Sequence, residues 1–208
     1  ESIGPDVKDL KIDDEVMFGG WGHGAMANFI VLPASKISKK PNALNMAEAA
    51  AFATAYTTAY VSLIRRGEMK PDDTVLIHGS SGGVGMAAVQ LAKMFGNRVI
   101  ATGTSGKKLE IVKSWGADHV VNTLKDGITA FREEVKDLTN GKGADLIYDP
   151  VGGDVFDESI RCINWNGRLL IVGFTSGRLP TLPVNIALIK GFSVIGVRAG
   201  EYGIRDPE

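Results

Sequence analysis

The sequence predicts an α/β fold, a doubly wound parallel sheet with a short β-rich segment ahead of it, and three observations predict it. Thr74–Phe95, TVLIHGSSGGVGMAAVQLAKMF, reads strand, glycine turn and helix without a break. From Arg98 to Val197 short β-rich runs alternate with helical patterns of about 10 to 15 residues, the pattern of βαβ units and a parallel sheet. Residues 1–40 carry turn residues and short β-type runs instead.

Those first runs are Glu15–Phe18 and Met26–Leu32, separated by the loop Gly19-Gly20-Trp21-Gly22-His23-Gly24. So short a segment rarely buries enough surface to fold alone, so it is expected to belong to a domain whose remainder lies elsewhere. His23 has no second ligand at useful spacing and reads as a polar loop residue. Pro41 and Asn45 then mark a boundary, and Asn45 with Glu48 three residues on has the form of a capping box. The helical run Met46–Ile64, with room for an interruption, is apolar nearly all round, which predicts burial; Arg65-Arg66-Gly67 supplies a basic last turn and a terminal glycine. Its cluster Thr54, Tyr56, Thr57, Thr58 and Tyr60 is either a set of core hydroxyls satisfied locally or the wall of a pocket. Thr54, Tyr56 and Thr58 are the candidates for a substrate pocket.

The glycine turn is where chemistry is expected. Val84, Ala87, Ala88, Leu91, Ala92 and Phe95 recur at spacings of three and four, so one face of the helix can lie on a sheet, and Gly96 stands at its C-terminal end. A strand that ends in Gly79-Ser80-Ser81-Gly82-Gly83-Val84-Gly85 and opens a helix presents unpaired N–H groups at the positive end of the dipole, with no Cβ to hold an anion away. That suits a pyrophosphate, although the spacing is G-x-x-G-x-x-G rather than G-x-G-x-x-G.

After the strand Arg98–Thr102, the second turn reads Gly103-Thr104-Ser105-Gly106-Lys107-Lys108. A fold that prefers NAD usually places Asp or Glu here to meet the ribose 2′-hydroxyl. This turn offers the hydroxyls of Thr104 and Ser105 and the cations Lys107 and Lys108, which suit the 2′-phosphate of NADPH; the alternative is a solvated helix start. The alternation continues with a helix to about Trp115-Gly116, the strand His119–Asn122 and a helix with Ile128, Phe131, Val135 and Leu138 on one face. There follow the strand Asp145–Asp149, the turn Pro150-Val151-Gly152-Gly153, a helix with Phe156, Ile160 and Ile163, and the strands Arg168–Gly173 and Phe192–Val197. Ligands of such sheets sit at the carboxyl ends of the strands, so Asp149-Pro150-Val151-Gly152 and Val172-Gly173-Phe174 become candidates for the nicotinamide end.

Lys plus Arg number 23 against 24 acidic residues, a formal net charge of −1, so no overall basic field points to nucleic acid or to an anionic membrane. No run approaches the roughly 20 apolar residues of a membrane span. The lone Cys162 cannot form an intramolecular disulfide, which fits a reducing compartment. A cytoplasmic location is expected, an organellar one staying open because the sequence begins at Glu1 rather than Met.

HGSSGGVGMAAVQLAK, ATGTSGKKL, KSWGADHVVN, YDPVGGDVF and GRLLIVGF together resemble the quinone oxidoreductase branch of the medium-chain dehydrogenase/reductase superfamily, over nearly the whole chain. The resemblance implies a Rossmann domain over 41–197, preceded at 1–40 by the tail of a GroES-like catalytic domain and followed at 198–208 by the return to it, with further segments before Glu1 and after Glu208. It implies a zinc-independent enzyme: the four-cysteine lobe of zinc members is missing after Phe18, and the position of their catalytic cysteine is Thr54. Carried over by residue, Ser81-Gly82-Gly83-Val84 face the pyrophosphate, Ser105 and Lys108 the 2′-phosphate, and Val151, Val172, Gly173 and Phe174 the nicotinamide; Gly79 and Thr104, from the glycine and lysine turns themselves, complete the cofactor candidates. Thr123 departs from the Tyr of many relatives, and Gly79 from their Ala. The implied activity is hydride transfer from NADPH to a quinone or an α,β-unsaturated carbonyl by a homodimer, with no catalytic residue assigned. Alternatives are an enoyl-thioester reductase and a non-catalytic NADPH-binding or structural protein.

Overall fold

The structure is a computed structural model that describes residues 1–19, 24–125 and 127–206; the reading of His23 lies outside them. The chain divides into two compact units, Glu1–Ala55 and Tyr56–Glu208.

In the first unit β1 (Val16–Phe18) pairs antiparallel with β2 (Ile37–Lys39), in the register Val16 to Lys39 and Phe18 to Ile37. The Lys40 N–H extends the ladder to the Glu15 carbonyl at 2.9 Å. The expected strand Met26–Leu32 does not form. Among the described residues β2 takes the place beside β1 and nothing pairs with 26–32, whose Met26, Phe29 and Val31 stand exposed. Asn45 and Glu48 form the capping box: Asn45 N–H donates to Glu48 Oε2 and Glu48 N–H to Asn45 Oδ1, each at 2.9 Å. They open α1 (Met46–Tyr60), which continues into a π-helical segment, Val61–Arg66. The burial expected of this apolar run is only partial. Ala49, Ala59, Val61, Ser62 and Leu63 are buried, whereas Met46, Phe52 and Tyr60 are exposed, because a helix apolar all round needs cover on every side.

The second unit is built on six strands, β3 (Thr74–Ile77), β4 (Arg98–Gly103), β5 (His119–Asn122), β6 (Ala144–Asp149), β7 (Ile163–Ile171) and β8 (Ser193–Gly196). Their order is β5-β4-β3-β6-β7-β8 and every pairing is parallel. That is the doubly wound Rossmann order, with its switch point between β3 and β6. The crossovers are α2 (Gly83–Met94), α3 (Gly106–Ser114), α4 (Ala130–Leu138), α5 (Gly153–Cys162) and α6 (Val184–Lys190), and α7 (Ala199–Arg205) ends the described chain. The central strands carry unbroken buried runs such as Val75-Leu76-Ile77 and Leu146-Ile147-Tyr148-Asp149, as strands covered on both faces must. Leu76, Ile100, Ile147 and Leu169 from four strands meet Phe131, Val135, Phe156 and Ile160 of α4 and α5 in one core cluster.

One boundary and two helices differ from the sequence reading. Ile163, expected on the α5 face, begins β7 instead, and the ladder with β6 shifts register between Ala144 and Leu146. Helices α6 and α7 were not expected. Yet α6 carries its own signals, Pro183 at the start and Gly191 in the left-handed conformation at the end.

One polar group is sealed inside this core. His78, just past β3, is fully buried. Its Nδ1 lies 2.8 Å from Thr102 Oγ1, its Nε2 2.8 Å from Ser159 Oγ, and its ring meets Phe131 edge-on at 5.0 Å. Since the Ser159 hydroxyl donates to the Val155 carbonyl at 2.6 Å, it accepts from Nε2–H, and Nδ1 accepts from Thr102. Burial pulls the His78 pKa down from 6.5 to about 3. Between those values the unfolded chain binds the extra proton, so this contribution is complete above pH 6.5 and is lost as pH falls toward 3. We expect the wild-type protein to lose up to about 1.4 kcal/mol of stability per pH unit across that window relative to His78→Gln. Urea unfolding as a function of pH checks it, and parallel pH profiles for the two proteins would contradict it.

Candidate functional site

The carboxyl edge of the sheet collects the turns after β3, β4, β5, β6 and β7, and every cofactor residue expected from sequence lies on the first, second, fourth or fifth of these. Gly79 leaves β3 with φ +56, and Ser80 is held under the turn by its N–H and hydroxyl, which donate to the Thr102 carbonyl at 3.0 and 2.8 Å. Gly82 is the N-cap of α2 and brings no capping side chain. A Cβ on Gly83 would meet nothing within 4 Å. At Gly85, one turn in, a Cβ would stand 2.3 Å from the Gly79 carbonyl oxygen and 2.8 Å from Ser80 Cα. The helix therefore presses its third glycine against the strand end and leaves its first N–H groups at an open edge, the arrangement that cradles an anion. Gly85 belonged to the motif but not to the expected ligands, and its role is close packing.

The turn after β4 lies alongside. A Cβ on Gly103 would be 3.8 Å from Ser81 Oγ. Thr104 is exposed, and Ser105 is the N-cap of α3 although its side chain makes no capping bond. Lys107 and Lys108 are exposed and form no ion pair among the described residues. Thr123 donates to the Gly103 carbonyl through its N–H at 2.9 Å and its hydroxyl at 3.2 Å, so the residue that departs from the family pattern helps to hold this turn.

Across the switch point, the turns after β6 and β7 interlock. The Thr175 and Ser176 N–H groups donate to the Pro150 and Val151 carbonyls at 3.1 and 3.0 Å. Gly152 and Gly153 both have positive φ, and Cβ atoms on them would stand 3.0 Å from the Phe174 ring and 2.6 Å from Ser176 Oγ. The Gly79 position reaches this group as well, 3.4 Å from Pro150 and Val151 side-chain atoms. Beneath it the buried Asp149 accepts the Val151 and Gly152 N–H groups on Oδ1, each at 2.8 Å, while Oδ2 has no partner among the described residues. Burial outweighs those two bonds and pushes the Asp149 pKa up. Asp149 was legible as a strand end, but its support of the turn was missed; an Asp followed two and three residues on by Val-Gly is the Asx-turn signal that marks it.

The three pocket candidates fall on α1. Thr54 belongs to the first unit, Tyr56 and Thr58 to the second. The Tyr56 hydroxyl is hydrogen-bonded to Gln90, two turns into α2, and the Thr58 carbonyl accepts the Ser62 hydroxyl at 2.6 Å. Among the described residues no three His, Cys, Asp or Glu side chains group as metal ligands.

A glycine-to-alanine pair tests the cradle. Gly85→Ala should cost about 1–3 kcal/mol of stability through overpacking, while Gly83→Ala should leave stability unchanged or raise it by up to about 1 kcal/mol. Urea unfolding of both variants checks the contrast, and equal stabilities would contradict it.

Residues 83–206 match the family model described as zinc-binding dehydrogenase. A quinone oxidoreductase-like protein 2 homolog of Nematostella vectensis is 39% identical over 208 residues, which are 99% of this chain and 56% of that protein. The chain thus spans little more than half the length of such relatives. Among solved structures, the Escherichia coli quinone oxidoreductase complexed with NADPH superposes with a TM-score of 0.82 at 30% identity, covering 96% of this chain and 61% of that one. The CurK enoyl reductase superposes with a TM-score of 0.85 at 27% identity, covering 99% and 60%. With the Rossmann strand order, the three-glycine cradle and these matches in place, the chain belongs to the zinc-binding dehydrogenase family, among its quinone oxidoreductase-like members.

Proposed function

We propose that the protein uses NADPH to reduce a quinone or an α,β-unsaturated carbonyl without zinc. The observation that carries the reading is the carboxyl edge of the sheet, where an uncapped helix N-terminus lies beside a turn with two uncommitted lysines. The residues fit the cofactor: Gly82 and Gly83 leave the end of α2 open, and Gly85 has no room for a side chain. Gly79, Ser81, Gly82, Gly83 and Val84 would hold the pyrophosphate, and Thr104, Ser105 and Lys108 the 2′-phosphate. Val151, Val172, Gly173 and Phe174 would pack the nicotinamide.

NADPH, when bound, supplies a hydride. The chain's own part is to fix orientation through the interlocked β6 and β7 turns and to keep water from the reacting face. Thr54, Tyr56 and Thr58 stay candidates for the acceptor pocket. We read 1–40 and 198–208 as parts of a GroES-like domain, 41–197 as the nucleotide-binding domain, and the cytoplasm as the setting. No helix among the described residues is long and apolar enough to cross a membrane.

The likeness to CurK enoyl reductase favours a second reading, an enoyl-thioester as acceptor. Both readings place the hydride on an electron-poor carbon or quinone ring. A strong rate with an unsaturated CoA ester and none with quinones would select the second. NADPH binding without turnover of any acceptor would select a non-catalytic role.

In fluorescence titrations we expect NADPH to bind at least tenfold tighter than NADH, about 1.4 kcal/mol, and Lys108→Ala to remove most of that margin. Equal affinities would overturn the cofactor assignment. We also propose a homodimer. Among the described residues β8 is an edge strand paired with β7 alone, which leaves its outer backbone groups open to a second copy. Light scattering should give twice the chain mass, and a monomer would overturn the pairing.

A further inference from the structure

The segment that follows β7 has an anchor that neither the glycine cradle nor the lysine turn explains. From Phe174 to Leu179 the chain is exposed and without regular structure, and two backbone bonds to Pro150 and Val151 are its ties to the β6 turn. Beyond them, Arg178 reaches back to α5: one guanidinium nitrogen donates to Asp154 Oδ1 at 2.8 Å and also to Asp157 Oδ2. The two acids are three residues apart, so they share one face of α5. Asp154, in the first turn, also complements the helix dipole, and Gly152, the N-cap, offers no side chain.

We infer that Arg178 is a positioning residue that latches the β7–α6 loop onto the start of α5 and so fixes Phe174 against Gly152. The inference rests on the reading of this edge as the nicotinamide end. A single exposed ion pair would contribute little, and Arg178 is about half exposed. Here the arginine meets two carboxylates, and its pairing closes a loop whose other face has no slack. Cβ atoms on Gly152 and Gly153 would already collide with Phe174 and Ser176, and the would-be Gly152 Cβ is 3.4 Å from the Arg178 carbonyl oxygen. The loop can sit in this place only against bare glycine backbone, and the latch keeps it there. The consequence is directional. Phe174 and Val172 belong to the nicotinamide side, whereas the turns that would hold the adenosine phosphates lie on β3 and β4, so losing the latch should loosen one half of the cofactor and not the other.

The test compares wild type, Arg178→Ala, the double variant Asp154→Asn/Asp157→Asn and the triple variant. Hydrogen exchange should show the Thr175 and Ser176 amides losing at least tenfold protection in Arg178→Ala and in the double variant, with no further loss in the triple. NADPH should bind Arg178→Ala about five- to tenfold more weakly, while 2′,5′-ADP, which lacks the nicotinamide half, binds it like wild type. Unchanged protection of the two amides would overturn the latch, as would additive losses in the triple variant. A parallel drop in 2′,5′-ADP affinity would overturn the directional claim by showing a general loss of structure. A wild type that binds neither nucleotide would instead sink the NADPH reading, with the exchange comparison still deciding whether the latch exists.

Discussion

The approach of α2 to the end of β3 at Gly85 is the constraint on which the rest of the second unit depends. With 2.3 Å between a would-be Cβ and the Gly79 carbonyl oxygen, only glycine lets the helix start so close to the strand. Close contact has two effects. It buries Ala87, Ala88, Leu91 and Ala92 against the sheet, and it brings the uncapped first turn of α2 to the edge where β3 and β6 part. Had the helix been displaced outward by one side chain, the N–H groups would point past that crevice and the turns on β4 and β6 would have nothing to converge on.

The two edges of the sheet use charge differently. At the amino edge two cations are tied to the structure. Arg168 pairs with Asp73 at 2.7 Å and donates to the Gly67 and Glu68 carbonyls, and Lys190 donates to the Ile160 and Arg161 carbonyls at the end of α5. A cleft of about 430 Å³ lined by Lys136, Arg161 and Lys190 lies on this edge, where helix C-termini gather negative dipole ends and draw cations for structural reasons. At the carboxyl edge the helices point their positive ends outward, their N-caps Gly82, Ser105 and Gly152 make no side-chain capping bonds, and Lys107 and Lys108 form no ion pair among the described residues. The uncommitted donors and the two lysines, rather than this cleft, are what single out the carboxyl edge as the candidate site.

The sheet was legible because its signals are local. Strand, glycine turn and helix follow one another without a break at Thr74–Phe95, and β3, β4, β5 and β6 appear within a residue or two of their expected ends. The Asn45–Glu48 capping box was equally plain, since its partners are three residues apart. What failed depended on distant partners. Met26–Leu32 has a strand's composition, but a strand exists only where another lends its hydrogen bonds, and β2 pairs with β1 instead. The start of β7 at Ile163 follows from the register shift opposite Ala144, which no periodicity in α5 records. In the site, the glycines and hydroxyls could be read from their spacing, and so could the local Asx turn of Asp149, whereas the union of the β6 and β7 turns and the hold of Arg178 on α5 join residues more than 20 apart in sequence.

Asp149 shows what that support costs. A buried carboxyl oxygen without a partner is unfavourable by about 1–3 kcal/mol, and ionisation in such a place is resisted, which is why its pKa rises. The folded state therefore holds this proton above the pH at which the unfolded chain would release it, and above that window the carboxylate weakens the fold rather than strengthening it. The residue persists at a position where Leu or Val would bury more comfortably because its other oxygen does what no apolar side chain can: it takes the Val151 and Gly152 N–H groups together. Those two bonds turn the chain sharply at the end of β6, bring the Gly152-Gly153 pair under Phe174, and give the β7 turn the carbonyls of Pro150 and Val151 to bind. A destabilising carboxyl in the core thus sets the shape of the edge above it, and stability is given up at the point where the β6 and β7 turns must meet in one fixed geometry.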